Sequence, residues 1–146
     1  MNARCHSGPG KPVGITLPEN ILVTPLPFDL PDEIKPFFGK TGKWWGSWRS
    51  NQSKGGFETI LVIKRILSGE EASVLYSVQD YPQWYVTGGT WETPAHFVKR
   101  GEAGIILSLP FEPLAATMEC WFEGRTFQGS VLRRFMRTDI LWKPLA

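Results

Sequence analysis

The sequence predicts an all-β protein: an antiparallel up-and-down β-barrel of eight or nine strands, preceded by an extended, proline-rich N-terminal segment. After Gly42, β-branched and aromatic residues occur in short runs that Gly, Pro, Asn and Ser separate. The gaps between these runs are too short for the helices that connect parallel strands, so we expect antiparallel pairing. The 146-residue chain also contains seven Trp and nine Phe, which need a core, a lined pocket or an interface.

The N-terminal part of the chain is rich in proline, with seven of the twelve prolines in the first 36 residues. Because proline fixes φ and has no backbone N–H, this part cannot form a regular helix or a central strand. We expect residues 1–14 to be disordered. Residues 15–31 carry too many apolar side chains for a free tail, so we expect them to lie across the barrel, as a lid over an open end, or along a partner. Residues 32–38 are expected to form one helical turn.

Two domains of the chain follow from this pattern: an N-terminal arm or lid over residues 1–34 and a barrel over residues 35–146. The runs after Gly42 place the strands. The predicted strands are Trp44–Ser50, Phe57–Leu67, Ala72–Val78, Trp84–Thr90, Ala95–Lys99, Gly104–Leu109, Ala116–Glu123, Thr126–Arg134 and Thr138–Trp142.

Alternation within one of these runs supports the strand assignment. Met118, Cys120 and Phe122 face one side and alternate with polar residues, apart from Trp121. Residues 114–122 also fit the 3.6-residue period of a helix and include good helix formers. Strand is the preferred interpretation because the neighbouring runs are strands.

The run Phe57–Leu67 is apolar on both faces, which is unusual for a strand of an isolated barrel. Its outer face should therefore be covered. The candidates are the N-terminal segment and a second copy of the chain, which would make the protein a homodimer.

Residues 42–48, with the sequence GKWWGSW, form the most specific motif of the chain. Trp44, Gly46 and Trp48 share one face of a strand, so two indoles flank a glycine that permits tight coiling. Closing a barrel requires such bends, and its narrow end requires a large plug.

This motif resembles the start of the first strand in the calycin superfamily. Lipocalins begin that strand with Gly-x-Trp, matched here by Gly42 and Trp44, and their Trp packs under an Arg of the final strand. The resemblance implies this role for Arg133 or Arg134, through a cation–π contact.

The chain is similar in more detail to lipocalin-like domains that are fused to some bacterial α/β hydrolases or encoded as separate small proteins. The resemblance covers residues 35–137 and includes an apolar strand, an Ala-x-Val-x-Tyr strand, a Pro-x-Trp turn and a closing Leu-Arg-Arg. Their counterparts here are Thr59–Ile66, Ala72–Tyr76, Pro82–Trp84 and Leu132–Arg134. We expect neither the disulfide nor the signal peptide of classical lipocalins in this protein. It also has no clear counterpart of the haem-ligating histidine of nitrobindin-like barrels, so no haem or other cofactor is predicted.

Composition argues against several classes of function. The 16 basic and 14 acidic residues give a net charge of +2, without the concentrated basic face of a nucleic-acid-binding protein. No apolar run approaches the roughly 20 residues of a membrane span. Cys5 and Cys120 have no metal-site spacing and are interpreted as free thiols, and residues 1–20 do not resemble a signal peptide. We therefore expect a cytoplasmic protein without a metal site.

Sequence motifs identify no catalytic residue. His96 is a lone histidine, interpreted as structural, and the usual nucleophile, phosphate and metal motifs are missing. Asp80–Tyr85 is either the rim of a pocket or a packed loop whose aromatic residues cap the core. Residues predicted to contact a ligand are Tyr76, Trp84, Tyr85, Trp91, Met118 and Phe122, with Trp142 as a further interior residue.

Three functions fit these observations. The preferred one is binding of a small hydrophobic or aromatic ligand inside the barrel. The second is a cyclase, since some lipocalin-like barrels catalyse Diels–Alder-type cyclisations in natural-product pathways, and such reactions depend mainly on holding the substrate. The third is an accessory or oligomerisation module, which the two-faced apolar strand favours.

Overall fold

A computed structural model describes residues 21–27, 29–49, 57–82, 85–133 and 136–145. Eight antiparallel strands form one closed barrel, in which each strand pairs with its neighbours in the chain and β8 pairs with β1. This confirms the predicted all-β up-and-down barrel. The strands are β1 Lys43–Arg49, β2 Glu58–Ile66, β3 Glu71–Val78, β4 Gly89–Lys99, β5 Ile105–Phe111, β6 Ala116–Glu123, β7 Thr126–Arg133 and β8 Met136–Pro144. Short 3₁₀ turns precede β1, β5 and β6, at Lys35–Phe37, Gly101–Ala103 and Glu112–Leu114.

One strand differs from the sequence prediction. The runs predicted as Trp84–Thr90 and Ala95–Lys99 are replaced by the single strand β4, which continues through Pro94. Pro94 is tolerated because this part of β4 pairs with β3 alone, at Pro94 opposite Ser73, whereas pairing with β5 begins at His96. Trp84 lies outside the described residues.

The up-and-down topology gives the barrel two distinct ends. The plugged end is where β1 begins and the β2–β3, β4–β5 and β6–β7 connections lie, and the loop end is the opposite one. At the plugged end, the 3₁₀ turn inserts Phe37, whose ring makes edge-to-face contacts with Phe97, Phe122 and Phe127 at centroid distances of 5.3, 5.4 and 5.6 Å. The helical turn expected over residues 32–38 is therefore present and closes this end.

The N-terminal segment also covers the outer face of β2. The backbone N–H of Thr24 donates to the carbonyl oxygen of Lys64 at 2.7 Å, which fixes the segment along the strand. Ile21, Val23 and Trp45 then pack on the outer apolar cluster. This outer cluster consists of Ile60, Val62, Leu75 and Leu145. The apolar outer face of β2 is thus covered by the chain itself, which was the first of the two predicted alternatives.

The described part of the N-terminal segment does not form a lid over the loop end. Residues 21–27 lie beside β2, and Leu30, Ile34, Phe37 and Phe38 are buried in the main core. The described residues 21–27 thus take one of the expected positions, across the barrel along β2, and a lid formed by the segment stays a prediction. Residues 1–20 and 28 lie outside the described part.

Trp142 fills the middle of the barrel and explains the glycine of the first motif. A Cβ added to Gly46 would lie 2.6 Å from Cζ3 of Trp142, and one added to Gly129 would lie 2.8 Å from its Nε1. Both β1 and β7 therefore carry a glycine, which has no side chain, at the position where the Trp142 indole lies against the strand. Met118 and Cys120 are fully buried on the inward face of β6, as their alternation predicts.

Candidate functional site

Aromatic rings fill the half of the interior next to the loop end. Trp48 packs against Phe57 and Phe111 at 4.8 and 5.1 Å, and Phe57 packs against Tyr81 at 5.0 Å. The indole N–H of Trp48 donates to Oγ1 of Thr59 at 2.8 Å, so this buried donor is satisfied. Such packing restricts a ligand to the rim of this interior unless these rings move.

Three rings form a stack that runs from the core to the surface, and we call it the ring stack: Phe111, Tyr76 and Trp91. Tyr76 lies 5.1 Å from Phe111 with 29° between the ring planes, and 5.6 Å from Trp91 with 16° between them. Phe111 and Tyr76 are fully buried, whereas Trp91 is partly exposed. The ring stack therefore presents a nearly parallel pair of rings whose outer member reaches solvent.

Strand register creates the outer pair of this stack. Tyr76 of β3 lies directly opposite Trp91 of β4, and directly opposite aromatic residues on one face make favourable contacts. Gly89, two residues before Trp91 on the same face, leaves room for the indole, because a Cβ there would lie 3.2 Å from Cη2 of Trp91. A glycine at this position thus permits the indole to lie close to the strand.

The part of β4 that carries Trp91 is hydrogen-bonded on one side. Within the described strands, β4 pairs with β5 only from His96 to Lys99, so residues 89–95 pair with β3 alone. Continuing the same register would place Pro94 opposite Pro110, and neither has a backbone N–H to donate. Trp91 therefore lies on a strand segment with fewer interstrand bonds to hold it in place.

The Tyr76 hydroxyl is a polar group within this aromatic site. The backbone N–H of Glu112 donates to its oxygen at 2.9 Å. Burial raises the pKa of Tyr76, the hydrogen bond from Glu112 lowers it in part, and the Glu112 charge raises it further, so the hydroxyl is protonated at neutral pH. Its proton is donated to no acceptor among the described residues. Tyr76 can therefore still donate one hydrogen bond.

Charged side chains are missing from the buried part of the described structure. Apart from aromatic and thiol groups, its buried polar side chains are Thr59, Ser77 and Thr138. The described residues also contain no cluster of three or more His, Cys, Asp or Glu that could hold a metal ion. Cys120 is buried and unbridged, and burial raises the pKa of its thiol. The described part of the interior can therefore solvate a neutral polar group, but it offers no counter-ion for a charged one.

Of the five described residues predicted to contact a ligand, the structure brings together Tyr76 and Trp91. Met118 is fully buried in the core. Phe122 lies at the plugged end, where it packs against Phe37 and Trp44. Tyr85 is 94% exposed in the turn before β4, and Trp84 lies outside the described residues.

Two tyrosines of the loop Asp80–Tyr85, which was predicted as a pocket rim or a packed loop, lie in different environments. Tyr81 is buried against Phe57 and forms a β-bridge with Val86, which fits the interpretation of a packed loop. Tyr85, by contrast, points into solvent from a backbone with φ of 57°, a conformation that bulky residues rarely adopt. His96 is exposed on the outer face of β4, away from the ring stack.

The first-strand motif is placed largely as predicted. Trp44, Gly46 and Trp48 are all buried on the inward face of β1, and Gly42 precedes it with φ of 76°. Trp44 donates its indole N–H to the carbonyl oxygen of Phe37 at 2.9 Å, which ties the motif to the plug.

The backbone of Arg133, one of the two arginines for which the resemblance implies a contact with Trp44, lies far from Trp44. Trp44 packs against Phe127 at 4.7 Å, near the start of β7, whereas Arg133 ends that strand at the loop end. Six residues of strand separate the backbone positions of Phe127 and Arg133 by about 20 Å. Among the described residues, Phe122, Phe127 and the Phe37 carbonyl contact Trp44, and the arginine contact stays a prediction. Arg134 lies outside the described residues.

Sequence reasoning did not find Phe111 or the backbone N–H of Glu112, which complete the site. Phe111 ends β5 and Tyr76 lies on β3, so the barrel curvature brings them together across β4. The only local signal was the Phe-Glu-Pro turn that ends β5, which suggests a loop but no contact with Tyr76.

No known protein family, curated protein or solved structure matches this chain. Within the described residues, no helix has the length and apolar character needed to cross a membrane.

Proposed function

We propose that this barrel binds a small, planar hydrophobic or aromatic molecule at its loop end, between Trp91 and Tyr76. The ring stack is the observation that carries the proposal, because two nearly parallel rings offer a planar ligand a face on each side. The closed eight-stranded barrel is consistent with the calycin-like fold that the first-strand motif resembles. Membership of that superfamily, and any association with hydrolases, belongs to the same proposal.

Insertion between the two rings requires Trp91 to move outward. Stacked carbon atoms lie about 3.5–4.0 Å apart, so the ring separation must increase by roughly that distance to admit one more ring. The one-sided bonding of residues 89–95 favours Trp91 as the ring that moves, since Tyr76 is held by Glu112 and Phe111. The ligand then replaces contacts that the rings make with each other.

The packing below the stack limits the size of the ligand. Trp48 and Phe111 are fully buried and in contact at 5.1 Å, so a ligand that reached deeper would have to displace both. A molecule with about two fused rings matches the area of the Trp91 indole. Burial of its apolar surface contributes about 25 cal/mol per Å², as for other apolar groups.

The proposal is tested with a naphthalene probe, 2-acetonaphthone, by equilibrium dialysis. Replacing Trp91 with alanine removes one of the two ring faces. The stacking and apolar burial that the ligand loses are worth about 1.5 kcal/mol, so we expect about ten-fold weaker binding. Trp121→Ala is the matched control. Trp121 is also a partly exposed tryptophan, but it lies on β6, opposite Ile106 and Gln128. Equal losses in the two variants, or no binding to the wild-type chain, would refute the proposal.

A second candidate function, cyclisation of a bound substrate, is favoured by the Tyr76 hydroxyl. A protonated donor beside a planar binding site can polarise a carbonyl group and hold a flexible chain in a reactive conformation. If the barrel is a cyclase, Tyr76→Phe lowers kcat for a bound polyene carrying a conjugated carbonyl. Binding without turnover of such compounds favours the binding function.

The third function, an accessory or oligomerisation module, is no longer supported by the observation that favoured it. The outer face of β2 was its support, and that face is covered by Ile21, Val23 and Trp45 of the same chain. A homodimer through this face would first have to displace residues 21–27.

A further inference from the structure

We infer that the ligand of the ring stack is electrically neutral and carries a hydrogen-bond acceptor that receives the proton of Tyr76. The inference rests on the proposed function and specifies the chemistry of its ligand. A ketone, an ester, an ether or a ring nitrogen next to a planar apolar body meets both requirements.

The acceptor follows from the hydrogen bonding of Tyr76. A phenol both accepts and donates, and here the acceptor role is used by the Glu112 backbone N–H at 2.9 Å. The donor role has no partner among the described residues, although the side chain is fully buried. A buried donor without an acceptor is costly, so a ligand that accepts this proton gains more than a hydrocarbon of the same shape.

Geometry fixes where the acceptor lies. The Glu112 N–H holds the phenol oxygen beside the β5–β6 connection, while the ring of Tyr76 stacks between Phe111 and Trp91. A ligand lying on the Tyr76 ring therefore has its acceptor at one edge, toward Glu112. The rest of its body remains against Trp91.

Neutrality follows from the charges around the site. No buried side chain of the described part is charged, so a carboxylate entering the stack would lose its hydration without gaining a counter-ion among the described residues. Glu112 also places a negative charge near the phenol oxygen, which repels an anion. An ammonium group has no lone pair to accept the Tyr76 proton. A neutral acceptor is the chemistry that remains.

Three naphthalene probes of similar shape test the inference by equilibrium dialysis: 2-acetonaphthone, 2-ethylnaphthalene and 2-naphthoate. The first carries a neutral acceptor, the second has none and the third is an anion. For the wild-type chain we expect the ketone to bind about five- to ten-fold more tightly than the hydrocarbon, the difference expected for one hydrogen bond. The anion should bind most weakly.

Tyr76→Phe should reduce the ratio of ketone affinity to hydrocarbon affinity to about one, whatever its effect on the affinity for the hydrocarbon itself. A second measurement holds even if this variant does not fold: the infrared carbonyl stretch of 2-acetonaphthone bound to wild-type protein. Hydrogen bonding should shift it to lower frequency than in an apolar solvent, a change that a merely structural role of Tyr76 would not produce.

Equal wild-type affinity for ketone and hydrocarbon, tightest binding of the anion, or an unshifted carbonyl stretch would overturn the inference and leave the proposed function standing. Failure of all three probes to bind would refute the proposed function itself.

Discussion

Replacing Gly46 with alanine tests whether the middle of the barrel is packed as tightly as the structure shows. The added Cβ would lie 2.6 and 2.7 Å from Cζ3 and Cε3 of Trp142, and 2.8 Å from Cγ2 of Ile140. Nonbonded carbon atoms pack at about 3.5–4.0 Å, so the overlap is roughly 1 Å with each of three atoms. The Trp142 ring cannot simply move away, because the Gly129 backbone lies against it on another strand. The Phe127 ring also packs against it, at a centroid distance of 6.0 Å.

The expected loss of stability is about 2 kcal/mol, since overpacking a well-packed core costs typically 1–3 kcal/mol. For a chain of this length, that loss corresponds to a decrease in Tm of about 4–8 °C. Gly69→Ala is the matched control, because a Cβ at Gly69 would meet only Pro31, at 3.5 Å and beyond. Its effect should lie within about 0.5 kcal/mol of zero.

Urea denaturation of the wild type, both variants and the double variant Gly46→Ala/Trp142→Phe measures these effects. Phenylalanine removes part of the indole that clashes, so the double variant should be more stable than the sum of the single losses predicts, by about 0.5–3 kcal/mol. Strictly additive losses, or equal stability of Gly46→Ala and Gly69→Ala, would show that Trp142 does not pack against Gly46 as described.

Two further predictions concern the outer cluster and the buried thiol. Val23→Ser should lower the free energy of unfolding by about 1–2 kcal/mol, because Val23 packs on both apolar clusters, whereas Leu22→Ser, at a site 78% exposed, should change it by less than about 0.5 kcal/mol. Equal effects in urea denaturation would contradict the position of residues 21–27. Because burial raises the pKa of Cys120 above its ordinary value of 9.0, the unfolded chain loses this proton first as the pH rises, so the thiol destabilises the fold above about pH 9. As the pH rises from about 8.5 to 10.5, the free energy of unfolding of Cys120→Ala should decrease more slowly than that of the wild type. Parallel plots of this free energy against pH for the two proteins would contradict the prediction.

The pattern of apolar and polar residues within single runs of sequence was sufficient to predict much of the barrel. The inward positions of Met118 and Cys120 follow from a period of two, which one strand shows by itself. The need for a cover over β2 likewise follows from the apolar residues on both its faces, and Ile21 and Val23 supply that cover. Such features depend on neighbours within a single run of sequence.

The candidate site could not be predicted in the same way, because it depends on the register between strands and on the end of the barrel at which each residue lies. Tyr76 and Phe111 are 35 positions apart, and they meet only because the register across β3, β4 and β5 aligns them. Alternation placed Phe122 inside the barrel but did not show that it lies at the plugged end. Arg133 illustrates the same difficulty, since the direction of β7 places it at the opposite end from Trp44.

The proposed binding site is tested most directly by the indole N–H signals of the protein in ¹⁵N–¹H NMR spectra during titration with 2-acetonaphthone. The Trp91 signal, identified by its loss in Trp91→Phe, should move with ligand concentration. The Trp44 signal, whose N–H bonds to the Phe37 carbonyl at the plugged end, should stay in place. Movement of the Trp44 signal with Trp91 unchanged, or no movement of either, would contradict the placement of a ligand against the ring stack.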